Sequence, residues 1–242
     1  MFDYLLKFIS KKEYAEEFLN GILYFNTADY FARCDNAGQQ DILEGSTFFL
    51  NPVEHEYKSA NVKIIEGKPC IVVEDFSEHP EKYEKSTVLH FSKSENRKLK
   101  IISFFETSFD VNTKRFSISK DMSTQFGNYC IMILDVNEFI KRTVESVNKN
   151  PDIKNFKCAP IQYKKMTGFV EMTPFIKEYD KYHYQNEYRM IFYTDDEKPY
   201  KLKLDKDIND IAIAIDLSRL DELLFENNEI QLYYDQRIYG SN

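Results

Sequence analysis

The most informative pattern of apolar and polar positions lies between Tyr182 and Tyr193. This segment is rich in aromatic residues and contains no Gly or Pro, which predicts a β-strand. Side chains two positions apart share one face of a strand, so one face carries expected core residues at Tyr184, Tyr188, Met190 and Phe192. The other face carries Gln185, Glu187 and Arg189, followed by Ile191 and Tyr193. A face that is polar at one end only is typical of the floor of a cleft.

A second polar interruption lies near the start of the chain. Tyr4–Ile9 is a short apolar segment with Lys7 near its centre, and it predicts a strand. An amphipathic helix that ends at Gly21 is expected next, followed by a strand at Ile22–Asn26. Thr27 is then placed to cap a further helical turn. The first part of the chain is therefore expected to run strand, helix, strand, helix.

The rest of the chain alternates predicted strands and turns. Gly67 to Pro69 predicts a hairpin turn, and the basic segment Lys93–Lys100 is interpreted as a solvated turn or strand edge. The longest amphipathic pattern predicts a helix over Val136–Asn148. Shorter helices are expected at Ser119–Phe126, at Thr173-Pro174 and near Ser218–Leu224. No repeat or linker is visible, so the pattern predicts one α+β domain over residues 1–242.

The two polar interruptions belong together in this interpretation. Each places charged side chains within an otherwise apolar strand, at Lys7 in one and at Glu187 in the other. We therefore expect both strands to lie near each other in a split, mostly antiparallel sheet with short helices. Lys7 and Glu187 should then face one cleft.

Composition and charge exclude several classes of protein. Gly is scarce, at 7 residues, and neither GxGxxG nor GxxxxGK[ST] occurs, which excludes the common phosphate-binding loops. The net charge of −8 disfavours non-specific binding of nucleic acid, because that binding needs clustered Lys and Arg. No apolar segment reaches the roughly 18 residues of a membrane span, so a cytoplasmic protein without membrane association is expected.

The four cysteines are Cys34, Cys70, Cys130 and Cys158. They are far apart in sequence and form no CxxC motif, so neither a structural zinc site nor a disulfide is expected. No GxSxG motif marks a nucleophilic serine either. Three acidic residues of the polar loop at 35–46 could hold Mg²⁺, at Asp35, Asp41 and Glu44. A solvated acidic turn is the competing explanation for that loop.

The N-terminal strand–helix–strand and the Gln185-x-Glu187 pair together resemble the ADP-ribosyltransferase superfamily. In that family a first strand carries a central His or Arg and often ends in Thr or Ser, and here Lys7 and Ser10 stand at those positions. The family also has a late strand with a Gln/Glu-x-Glu motif. The resemblance implies an ADP-ribosyltransferase-like fold and NAD as the bound dinucleotide.

The chain also resembles a broad bacterial family that is similar to the nucleic-acid-modifying toxin DarT. The matching segments read Leu23-Tyr24-Phe25-Asn26, Tyr30-Phe31 and Glu187-Tyr188-Arg189, together with Leu6-Lys7-Phe8 and Asp35. Many members of that family occur in phage-defence or toxin settings. The resemblance implies a nucleic-acid or protein acceptor, and an antitoxin or another defence component as partner.

Roles for the candidate residues follow from this resemblance. Transfer from NAD breaks an N-glycosidic bond through a cationic transition state, which the carboxylate of Glu187 would stabilise. Lys7 would hold a ribose hydroxyl or the pyrophosphate, and Tyr24 or Tyr30 would stack on nicotinamide. The remaining expected site residues are Ser10, Gln185, which would orient the acceptor, and Arg189, which would bind phosphate or pair with Glu187.

Two other functions stay open at this point. The chain could have this fold without catalytic activity and act as a nucleotide-sensing or partner-binding module, since Lys7 replaces the usual His or Arg. Alternatively, the acidic loop could make the chain a Mg²⁺-dependent nuclease. Release of nicotinamide from NAD separates the transferase from the other two.

Overall fold

The computed structural model of the chain describes residues 4–35, 38–50, 58–65, 68–75, 87–90, 93–107, 109–110, 115–119, 122, 125–127, 129–167, 169–216, 225–226 and 229–233. Its helices are α1 (Lys12–Leu19), α2 (Ala28–Arg33), α3 (Lys93–Lys98), α4 (Val136–Asn148) and α5 (Tyr179–Tyr182), and a 3-10 turn follows at His183–Gln185. Within these ranges, no helix has the length and apolar content needed to cross a bilayer.

The strands of the first half are β1 (Tyr4–Ile9), β2 (Ile22–Thr27), β3 (Ser46–Leu50), β4 (Lys58–Ile65), β5 (Lys68–Asp75), β6 (Thr87–His90), β7 (Leu99–Thr107), β8 (Phe109–Asp110) and β9 (Arg115–Ser119). Those of the second half are β10 (Tyr129–Ile133), β11 (Lys154–Pro160), β12 (Gln162–Lys164), β13 (Phe169–Glu171), β14 (Ile176–Glu178), β15 (Glu187–Tyr193), β16 (Tyr200–Lys203), β17 (Ala212–Asp216), β18 (Phe225–Glu226) and β19 (Glu229–Tyr233).

The main sheet has eight strands and is antiparallel throughout. Its continuous order is β11-β15-β7-β1-β10-β17, and β2 pairs with β7 and β16 beside this path. Smaller sheets are formed by β3 with β6 and β13, by β8, β9, β18 and β19, and by the β4–β5 hairpin. The pairing of β12 with β14 is parallel. The predicted α+β class with a mostly antiparallel sheet is therefore confirmed.

A split in the main sheet creates the space for a site. One edge of β7 is covered by β15 along Leu99 to Phe105. The other edge is shared, because β1 pairs with Phe105 to Thr107 and β2 pairs only with Lys100 and Ile101. Residues 102–104 lie between these two pairings. The sheet therefore opens at the middle of β7, between β1 and β2.

The largest part of the hydrophobic core lies between the main sheet and two helices. One face of the sheet packs under α1 and α4, where the rings of Phe18, Phe104 and Phe139 lie 5.5–6.2 Å apart between centroids. The alternation predicted for the late strand places Met190 and Phe192 in this core, and both are fully buried. Burying one aromatic or aliphatic side chain of this size stabilises the fold by about 1.5–3 kcal/mol, so this apolar layer keeps α1 packed on the sheet beside the split.

Several local predictions are confirmed. The first strand and the long helix have the predicted bounds, and Asp135 caps that helix by accepting a hydrogen bond from Glu138 N at 2.9 Å. Thr27 caps α2, with its hydroxyl accepting from Tyr30 N at 3.1 Å. The predicted hairpin pairs β4 with β5 in register. In the described part of the chain Cys34, Cys130 and Cys158 form no disulfide, while the Cys70 side chain lies outside that part.

Other local predictions are wrong or fall on residues that the structure leaves undescribed. The basic segment at 93–100 forms α3 and the start of β7, where Leu99 and Lys100 are buried. The residues after Thr173-Pro174 form a turn and then β14, since Ile176 and Lys177 pair with β12 and enter the interior. Most of 119–126 and all of 218–224 lie outside the described residues.

Candidate functional site

A cavity of about 560 Å³ lies at the split of the main sheet. Its floor is the middle of β7, and its walls come from β1, β2, α1, the loop at 38–45 and the start of β15. The residues predicted as a site from the sequence all line this one cavity: Lys7, Ser10, Tyr24, Tyr30, Gln185, Glu187 and Arg189. Segments about 180 positions apart in the sequence therefore meet in one place.

Lys7 lies where β1 separates from β7. Its Nζ donates a hydrogen bond to the backbone oxygen of Ser103 at 2.9 Å, inside the split, and lies 5.7 Å from the ring centroid of Phe104. Burial lowers the pKa of Lys7 to about 8, although the negative charge of Glu187 opposes this shift. An ammonium group has three donors. Among the described residues one of them is taken, which leaves two for a ligand.

Glu187 begins β15 and is only 4% exposed. Its Oε1 accepts from Arg189 Nε at 2.7 Å and from the hydroxyl of Ser103, and its Oε2 pairs with Lys177 Nζ at 2.8 Å. Burial alone would raise the pKa of Glu187, but the charges and hydrogen bonds of Arg189 and Lys177 outweigh it and hold this pKa below its ordinary value. Glu187 is therefore an anion at neutral pH, and it is tightly paired.

Arg189 bridges two carboxylates that come from different parts of the chain. Its Nε bonds to Glu187, while its Nη1 lies 2.9 Å from Glu44 Oε2 and 2.5 Å from the backbone oxygen of Pro174. Desolvation would lower the pKa of Arg189, but the nearby carboxylates hold it above its ordinary value. The pairing of Arg189 with Glu187 expected from the sequence is thus present, and Glu44 adds a second partner.

Gln185 corrects the strand prediction. The 3-10 turn at His183–Gln185 precedes the strand, and Asn186 takes a left-handed conformation with φ of 37° before β15 begins. The residues from Tyr182 to Asn186 are therefore not strand, because Tyr182 ends α5 and the 3-10 turn and the left-handed Asn186 follow it. Both polar atoms of the Gln185 side chain are used inside the protein. Oε1 accepts from Lys177 Nζ at 2.9 Å, and Nε2 donates to the backbone oxygen of Gly38 at 2.7 Å.

Three exposed tyrosines surround the mouth of the cavity. Tyr14, Tyr24 and Tyr30 line it and are 51%, 48% and 43% exposed. Burial and the nearby phenols of Tyr30 and Tyr14 raise the pKa of Tyr24, which indicates that the three rings are neighbours. Exposed aromatic rings around a concave opening suit a flat ligand ring that stacks on them. Ser10, also exposed, lies on the same rim.

The sequence did not single out several residues of the cavity. Ser103 interrupts the apolar strand β7 as Lys7 interrupts β1, so the same signal could have found it. Lys177 stands in a three-residue strand and Tyr14 on a short helix, and neither position has a sequence signal of its own. Their contribution depends on contacts across the fold.

The described acidic residues of the loop at 35–46 are not arranged as a metal site. Glu44 pairs with Arg189, and Asp41 accepts a hydrogen bond from Leu43 N at 2.9 Å, so both carboxylates face protein donors. Asp35 is exposed. Within the part of the chain that the structure describes, no group of three or more acidic, His or Cys side chains is placed to hold a metal ion. The nuclease hypothesis therefore lacks a ligand set at this loop.

Protein-family models, curated proteins and solved structures were each compared with the chain, and none of them matches it.

Proposed function

We propose that this chain is an NAD-dependent ADP-ribosyltransferase-like effector that binds NAD in the cavity of the split sheet. The observation that carries the proposal is the meeting of all the expected site residues in one cavity. Those residues come from two distant segments of the sequence, and the resemblance to that superfamily assigns all of them to one site. A common cavity is what the proposal requires of them.

The cavity suits a dinucleotide in size and chemistry. Small-molecule and cofactor sites typically enclose about 300–1,000 Å³ and combine apolar walls with a few polar groups. The tyrosines at the mouth would stack on a base or on the nicotinamide ring, and the two remaining donors of Lys7 would bind a ribose hydroxyl or the pyrophosphate. NAD supplies the N-glycosidic bond that breaks when nicotinamide leaves.

Glu187 is the residue of this chain that would act on the bond-breaking step. Its carboxylate lines the cavity and keeps its negative charge, as stabilisation of a cationic transition state requires. Ser103 and Arg189 hold Oε1 in place, so the carboxylate is preorganised. The acceptor, nucleic acid or protein, and the partner in a defence or toxin system rest on the resemblance alone.

A second candidate function is favoured by one specific observation. The charge of Glu187 is matched by two cations, Lys177 and Arg189, within 2.8 Å. A fully matched carboxylate exerts a weaker field on a nearby ligand than an unpaired one. The domain would then bind the nucleotide without breaking it and act as a sensor or a partner-binding module.

The test combines binding with turnover. Purified protein is titrated with NAD by calorimetry, and nicotinamide release is followed by chromatography in the presence of mixed DNA, RNA and protein. Binding with release supports the transferase, and binding without release supports the sensor. Absence of binding at millimolar NAD contradicts both functions.

A matched pair of variants connects binding to the cavity. Tyr24→Ala removes a ring from the mouth and is expected to weaken NAD binding by about 5-fold to 100-fold, as loss of a base–aromatic stack does. Tyr179→Ala is the control, because Tyr179 is 42% exposed but does not line the cavity. Equal losses in the two variants would show that the cavity is not where NAD binds.

A further inference from the structure

Glu44 places a carboxylate from a loop against an arginine of the cavity. Its Oε2 and Oε1 lie 2.9 Å and 3.2 Å from Arg189 Nη1, and both side chains are 3% exposed. Glu44 and Arg189 both line the cavity. The loop at 38–45 thus contributes an anion to the wall that would otherwise present a guanidinium group.

This ion pair differs from the one between Arg189 and Glu187. Glu187 is two residues away on the same strand, so its carboxylate stays beside Arg189 whatever the loop does. Glu44 reaches Arg189 only while the loop is docked. Burial raises the pKa of Glu44 to about 6, against the opposing charge of Arg189, so the ionised carboxylate is held there at a desolvation cost.

Other contacts tie the loop to the same wall through single hydrogen bonds. Gln185 Nε2 donates to the oxygen of Gly38, and Tyr182 OH donates to the oxygen of Gln40 at 2.8 Å. The amide of Asp41 donates to Phe31 O on α2 at 2.9 Å, and within the loop the amide of Glu44 donates to Asp41 O at 2.8 Å. These contacts are hydrogen bonds to backbone groups. The contact that a ligand anion can replace is the ion pair between the Glu44 carboxylate and Arg189.

We infer that Glu44 holds the place of a phosphate group of the ligand, and that a pyrophosphate-bearing ligand displaces it from Arg189 and releases the loop at 38–45. Arginine binds carboxylate and phosphate through the same planar donors, so the two anions are exchangeable partners. Lys177 and Lys7 line the same cavity and add positive charge that favours the incoming phosphate. The inference deepens the proposed function by naming the part of NAD that the inner cavity recognises.

The first test removes the built-in competitor. Glu44→Gln keeps the size and shape of the side chain but removes its charge. When the loop is open in about 0.1–10% of molecules, the apparent affinity for ligand falls to that fraction of its intrinsic value. The variant should therefore bind inorganic pyrophosphate and ADP at least tenfold more tightly. Calorimetry with each ligand measures the change.

Asp41→Asn is the matched control. Asp41 is buried in the same loop and lies near the same cations, but its carboxylate accepts from Leu43 N rather than from Arg189. Its substitution makes the same carboxylate-to-amide change and should alter the affinity less than about threefold, since no competitor for Arg189 is lost. An unchanged affinity in Glu44→Gln, or an equal gain in both variants, would overturn the inference.

A measurement on the unaltered protein covers the case in which Glu44→Gln does not fold. Saturating pyrophosphate should accelerate hydrogen exchange at the amide of Asp41, because this amide loses its partner, the backbone oxygen of Phe31 on α2, when the loop is released. Slower exchange would show that the loop stays docked over the ligand, and would refute displacement. Pyrophosphate has no glycosidic bond, so this measurement does not depend on turnover. If pyrophosphate displaces the loop but the NAD assay shows no nicotinamide release, the transferase function is rejected and this inference is kept.

Discussion

Replacing Glu187 by Gln is expected to lower the free energy of unfolding by about 3–5 kcal/mol, as breaking a buried ion pair from one side does. The carboxylate neutralises Arg189 and Lys177 in a site where Glu187 is only 4% exposed. Glutamine keeps the shape but leaves both cations short of one negative charge. Urea unfolding of the variant and of the unaltered chain measures the difference.

A second substitution shows whether the charge is the cause. Lys177→Met in the Glu187→Gln background removes the cation that the first change leaves unpaired, so the double variant should regain part of the lost stability. Coupling energies of contacting residues in such cycles are about 0.5–3 kcal/mol. Arg189→Gln alone should destabilise as much as Glu187→Gln. Purely additive effects of the Glu187 and Lys177 changes would contradict the ion-pair account.

The same carboxylate carries the kinetic test of the proposed function. At a temperature at which Glu187→Gln remains folded, nicotinamide release should fall by a factor on the order of 10² to 10³, since a directed charge in the transition state is lost. NAD binding should weaken far less, because the carboxylate acts mainly on the transition state. Undiminished release in the folded variant would remove Glu187 from the reaction, and destabilisation alone would leave it a structural residue.

Replacing Glu106 by Gln is expected to stabilise the protein above neutral pH. Glu106 is partly buried on β7, and its Oε1 accepts no hydrogen bond from the described part of the chain. Burial raises the pKa of Glu106 from its ordinary 4.5 to about 7. Deprotonation there is costly, because it places a negative charge in a poorly solvated position.

The sign of the pH dependence follows from linkage. Between pH 4.5 and 7 the folded protein keeps the proton that the unfolded chain has released, so the contribution of Glu106 to stability falls as the pH rises and then levels off above 7. Glutamine has no proton to lose. With partial exposure allowed for, we expect a gain of about 1–2 kcal/mol at pH 8 and none at pH 4.5.

Thermal unfolding of both proteins from pH 4.5 to 8.5 gives the difference curve. Other titrating groups are common to both proteins and largely cancel. Glu145→Gln is the control, since Glu145 is exposed on α4 and its substitution should change stability by less than about 0.5 kcal/mol at any pH. A gain that is independent of pH would show that Glu106 is not protonated in the folded state.

Much of the local structure could be predicted from the sequence, because it depends on neighbouring residues. The short apolar segment at Tyr4–Ile9 predicts β1, and the helical spacing of apolar positions over Val136–Asn148 predicts α4. Alternation also separates the two faces of β15, with Met190 and Phe192 in the core and Glu187 and Arg189 on the cavity side. A charge inside an apolar strand, as at Lys7, marks a site because a core would otherwise exclude it.

Only the tertiary structure decided the partners of those charges. Nothing near Glu187 in the sequence indicates Lys177 or Ser103, and the sequence predicts for Glu44 either a solvated acidic turn or a Mg²⁺ ligand, not a partner of Arg189. The sequence pattern predicts Gln185 on a strand, because it does not show the left-handed conformation of Asn186 that precedes β15. Alternation along a strand predicts the face of the sheet on which a side chain lies. Which charge meets it there depends on how distant segments pair, and the split of β7 between β1 and β2 is set by that pairing.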